Sequence, residues 1–97
     1  MSKARIERRL QDVSDQLKQL RSELSVADEQ LAHFADEADD ARIRSLVSET
    51  PLASKEHREA ARHVEAMRRH REQVADRIVE LERSQDDLLD QLIEAGP

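Results

Sequence analysis

Cysteine is absent from the 97-residue chain, which excludes a disulfide framework, a zinc–thiolate site and a cysteine nucleophile. Glycine occurs once, at Gly96, so no glycine-rich loop can cradle a phosphate. Tryptophan and tyrosine are missing and Phe34 is the single aromatic residue, which removes the stacking platforms that hold unpaired bases. No stretch approaches the roughly 18 consecutive apolar residues of a membrane span. The start, Met1-Ser2-Lys3-Ala4-Arg5-Ile6-Glu7, lacks the apolar segment of a secretory leader. The cytoplasm is therefore the expected compartment, with no membrane partner. A chain that is 37% apolar and 39% charged has too little apolar material for a thick core. Its net charge of −6 opposes binding to nucleic acid unless basic residues cluster.

What the chain does have is periodicity. From Ile6 the apolar residues fall at Leu10, Val13, Leu17, Leu20, Leu24, Ala27, Leu31, Phe34, Ala38 and Ala41, in alternating steps of four and three. No glycine or proline interrupts them before Pro51, so the spacing predicts a long helix with a narrow apolar stripe on a seven-residue repeat, a coiled-coil seam. The second half repeats the pattern at Ala60, Val64, Met67, Val74, Ile78, Leu81, Leu88, Leu92 and Ala95, interrupted by His57, Arg71 and Gln85. Such polar inserts serve to fix register or oligomeric state.

Between the halves, Thr50 or Ser54 can cap a new helix, and Pro51 suits a first helical position. Gly96-Pro97 stops the second helix. The expectation is all-α: one domain over residues 1–97, with a helix over 3–48, a turn over 49–53 and a helix over 54–95, folded as an antiparallel coiled-coil hairpin. Matching large against small side chains favours a register that sets Ala27 against Ile78, Ala38 against Met67 and Leu17 against Leu88. The alternative sets Ala27 against Arg71 and Ala38 against Ala60, which places a charge and a void in the seam. Antiparallel folding also brings the acidic run Asp36, Glu37, Asp39 and Asp40 level with the basic segment from Arg58 to Arg71.

No residue set signals catalysis, and the expectation is that the protein is not an enzyme. The four histidines, His33, His57, His63 and His70, form no HExxH motif, and Glu59 with His63 makes one helical ligand pair without a third. No metal and no cofactor is expected. Arg68, Arg69 and Arg71 lie in a locally basic stretch that could meet phosphate, but the opposed acidic run is expected to neutralise them, so nucleic-acid binding stands as an alternative only.

Two groups of apolar residues lie off the seam. Ile43, Leu46, Val47 and Leu52 flank the turn. Either the repeat slips there and buries them locally, or they form a contact patch for a protein partner. On the second helix Ala61, Ala75, Val79, Leu89 and Ile93 widen the stripe on one flank, which predicts that two hairpins pair as a homodimer in a four-helix bundle. The whole reads as a protein–protein interaction module, a coiled-coil spacer or adaptor contacting its partner through the turn.

The stretch Ser48-Glu49-Thr50-Pro51-Leu52-Ala53 followed by Glu56-His57-Arg58-Glu59-Ala60 resembles small actinobacterial coiled-coil hairpin proteins, a resemblance that implies no activity. In topology the chain is also similar to the coiled-coil arm of Gre-type and DksA-type transcription factors, whose acidic tips enter the RNA polymerase secondary channel. That similarity implies an alternative contact through Asp36, Glu37, Asp39 and Asp40. The second domain of those factors has no counterpart here, and the acidic residues sit one to three turns below the predicted turn. WXG-type secreted hairpins are excluded by the lack of tryptophan.

Overall fold

The computed structural model describes residues 2–96. Two helices make up the chain, α1 over Lys3–Ser48 and α2 over Pro51–Ala95, and no strand occurs among the described residues. Ser2 caps α1, its hydroxyl accepting from the Arg5 N–H at 3.3 Å. At the other end Ser48 gives way to Glu49, which takes a left-handed φ of 50° while its N–H donates to the Ser45 carbonyl at 3.2 Å. A residue in this conformation turns the chain off the helix axis and ends α1. Thr50 then opens α2: its hydroxyl accepts from the Ala53 N–H at 3.1 Å and its carbonyl accepts from the Ser54 N–H at 3.1 Å.

Helix α2 therefore begins three residues earlier than expected. Of the two candidate caps it is Thr50 that serves, because Pro51 behind it has its φ preset and no N–H to satisfy. The turn is Glu49-Thr50 rather than 49–53.

The seam is as the heptads require. On α1 each of the eleven stripe positions from Ile6 to Ala41 is buried or half-buried. On α2 the stripe from His57 to Leu92 is likewise covered, and Ala95 is exposed. Contacts along the helices gather into two units, Met1–Leu24 with Val74–Pro97 and Ser25–Gln73. The first is held by Leu17, Val74, Ile78 and Leu81, against which Val13, Leu20 and Leu24 pack, with an Arg21–Glu82 ion pair at 3.7 Å beside them. The second contains the turn and buries smaller groups, Ala27, Ala41, Ala53 and Val64, while Phe34 sets its ring edge-on to His63 at 4.5 Å.

These contacts correct the expected register. Leu17 packs with Leu81 rather than Leu88, and Arg71 bonds to Asp28, the neighbour of Ala27, rather than leaving Ala27 to Ile78. The alternative register is the one adopted, for a geometric reason: a two-residue turn sets residues equally far from it side by side, and side-chain matching is secondary to that constraint. The feared buried charge does not arise. Arg71 is half-buried, its Nε–H donates to the Asp28 carboxylate, and the guanidinium stays at the surface. That hydrogen bond, and then the carboxylate charge, raise the Arg71 pKa above its already high ordinary value.

No helix among the described residues is long and apolar enough to cross a membrane.

Candidate functional site

The turn gathers the most exposed apolar group of the second unit. Approaching it, the seam is filled by Ala41, Ser45, Ala53 and His57, all buried or half-buried, so the repeat runs on without a slip. Ile43, Leu46, Val47 and Leu52 are thereby left outside, 46%, 65%, 79% and 65% exposed. The small seam residues explain why: alanine and serine let the helices close without recruiting neighbours. Ser45 is occupied locally, its hydroxyl donating to the Arg42 carbonyl at 2.7 Å. His57 keeps one ring nitrogen, Nδ1, buried without a hydrogen-bond partner among the described residues.

The acidic run proves to be continuous with this patch. Asp36, Asp39, Asp40, Ile43, Leu46 and Val47 recur at three- and four-residue steps, so they share the face of α1 turned away from the seam, and all six are exposed. Glu37 stands beside it, 3.2 Å from His33, and Asp39 pairs with Arg42 at 2.9 Å.

The basic residues are not met by this run as expected. Arg68 pairs with Glu65 of its own helix at 3.9 Å, Arg71 pairs with Asp28, and no ion pair among the described residues joins Arg69 to the acidic run. The cause is orientation. Asp36, Asp39 and Asp40 point outward from α1, on the side remote from α2, and Glu37 is paired with His33.

On the α2 flank Ala75 is half-buried, and Ala61, Val79, Leu89 and Ile93 are exposed, Ile93 to 78%. Leu89 borders an open groove of the first unit that also exposes part of the seam residue Leu10 and is edged by Glu7, Gln11, Ser14 and Gln85. Sequence reasoning missed Val26, an exposed aliphatic on α1 whose off-seam position was readable from the heptads. It also missed the continuity of the acidic and apolar residues, which their spacing alone displays.

No group of three or more histidines and carboxylates among the described residues is placed to hold a metal ion. The arrangement defines an all-α two-helix hairpin. Comparison with family models, with curated proteins and with solved structures yields no match.

Proposed function

We propose that the protein is a non-enzymatic interaction module, a coiled-coil spacer or adaptor that holds a protein partner at its turn and works as a homodimer. The observation that carries this reading is the exposure of Ile43, Leu46, Val47 and Leu52 beside a seam that closes without them. Full burial of such a side chain is favourable by about 1.5 to 3 kcal/mol, so a partner covering two of the four gains several kcal/mol before any polar contact is counted. Asp39, Asp40, Glu49 and Lys55 surround the patch with the polar rim usual at a small interface. Pairing of two hairpins through Ala75, Val79, Leu89 and Ile93 into a four-helix bundle belongs to the same reading. It is supported by the part-open seam around Leu10 and Leu89.

Val47→Asp combined with Leu52→Asp tests the tip. Helix content and melting temperature should stay near those of the unaltered protein while capture of the partner from cell extract is lost. Unfolding of the doubly substituted hairpin would instead identify these residues as a local plug over the turn.

A second reading, a coiled-coil tip entering RNA polymerase, draws on the outward acidic residues Asp36, Asp39 and Asp40. Capture lost on reversing those charges, yet retained in the apolar double variant, would favour it. Binding of DNA or RNA at physiological salt, abolished by Arg69→Glu, would replace both.

A further inference from the structure

Helix α2 carries a counterpart of the acidic and apolar face of α1. Leu52, Lys55, Arg58, Arg62 and Arg69 recur at steps that keep them on one side of the helix, away from the seam residues Ala53, His57, Ala60 and Val64, and all five are exposed. Going outward from the turn, α1 presents Val47, Leu46 and Ile43 and then Asp40 and Asp36. In the same direction α2 presents Leu52 and then Lys55, Arg58 and Arg62.

The two faces also agree in level. Counting from the Glu49-Thr50 turn, Val47 and Leu52 are equally distant. Asp40 is one residue farther out than Arg58, and Asp36 one residue farther than Arg62, offsets of about 1.5 Å along the helix axis. Yet within one chain these charges point in opposite directions. Among the described residues, none forms an ion pair or hydrogen bond with the side chains of Asp36, Asp40, Arg58 or Arg62, whereas Asp39 and Lys55 already have partners on their own helices, Arg42 and Glu59.

We infer that the partner of the tip is a second copy of this chain, laid alongside with its turn at the same end, so that the outer face of α1 in one copy meets the outer face of α2 in the next. The inference rests on the reading of the turn as a contact surface and gives that surface its occupant. In this arrangement Leu52 of one copy lies among Leu46 and Val47 of its neighbour, and the Asp36/Asp40 pair of one copy faces the Arg58/Arg62 pair of the other. Apolar area is covered at the turn, and opposite charges fix the level at which the copies meet. Because the two faces lie on opposite sides of the hairpin, each copy offers one to the left and one to the right. The contact is heterologous and adds copies in a row or closes them into a ring.

Sedimentation velocity over a range of concentrations tests this with two charge-reversed variants, Asp36→Lys/Asp40→Lys and Arg58→Glu/Arg62→Glu. The substituted residues are exposed, and circular dichroism should show both variants as helical as the unaltered protein. The unaltered protein should grow beyond a dimer with concentration, and each variant alone should associate at least about tenfold more weakly. An equimolar mixture of the two should regain the lost association, since each lysine-bearing α1 then meets a glutamate-bearing α2 while the reciprocal contact keeps its natural charges. Variants that associate as well as the unaltered protein, or a mixture no larger than its components, would overturn the proposal. If that happens while Val47→Asp/Leu52→Asp still folds and loses capture of another protein, the turn remains a contact surface and only its occupant is wrong. If that double variant unfolds, the contact surface itself is lost as an idea.

Discussion

Glu49 is the one non-glycine residue among those described that holds a left-handed conformation, with φ at 50°. An L side chain pays about 1 to 2 kcal/mol for this geometry, because its Cβ crowds the following carbonyl oxygen. Glu49→Gly should therefore raise stability by about 1 kcal/mol, measured by urea unfolding. No change would mean that the glutamate side chain compensates locally. Thr50 and Pro51 next to it were legible as helix-start signals in the sequence, and they act together, the hydroxyl capping while the proline occupies the position where no donor is needed. What composition did not reveal was the left-handed residue before them, since glutamate carries no propensity for it. That single residue shortens the turn to two positions.

For the helices as elements, the seven-residue repeat was readable down to the individual seam position, because in a two-helix hairpin only one stripe of each helix has anything to pack against. Leu17→Ala or Leu81→Ala should each cost about 2 to 5 kcal/mol, as these side chains are buried in one cluster. A loss under about 1 kcal/mol at either position, in the same urea titration, would show that the cluster is not the main source of stability. The register was not readable from side-chain size. Matching Ala27 with Ile78 optimised volumes, but the turn had already fixed which residues stand opposite, and Arg71 accommodated itself by reaching Asp28 at the surface. Size complementarity discriminates between registers only when the connecting loop is long enough to leave several open. The same economy governs the tip, where Ala41, Ser45 and Ala53 close the seam and leave the larger aliphatics outside.

At the scale of the whole molecule, association should depend on surfaces rather than on the fold. Leu89→Asp with Ile93→Asp places charges on the α2 flank without touching the buried cluster. Combined with Asp36→Lys/Asp40→Lys, which removes the contact between neighbouring turns, it should shift a dimer toward monomer in sedimentation equilibrium while helix content is kept. Retention of the dimer would mean that this flank is not the pairing surface. The seam itself has a calorimetric consequence. Leu10, Leu20, Leu24, Leu31, Met67 and Leu92 are only half-covered in the single chain, so unfolding it exposes less new apolar area than unfolding a globular domain of equal length. Heat capacity rises with that area, and a globular chain gains about 12 to 15 cal/mol/K per residue. The isolated hairpin should fall clearly below this range in differential scanning calorimetry, giving a flat stability curve that loses little on cooling. Copies that cover one another's seams should move the value back up, so the heat capacity of unfolding becomes a gauge of how much of the leucine stripe the assembled protein keeps dry.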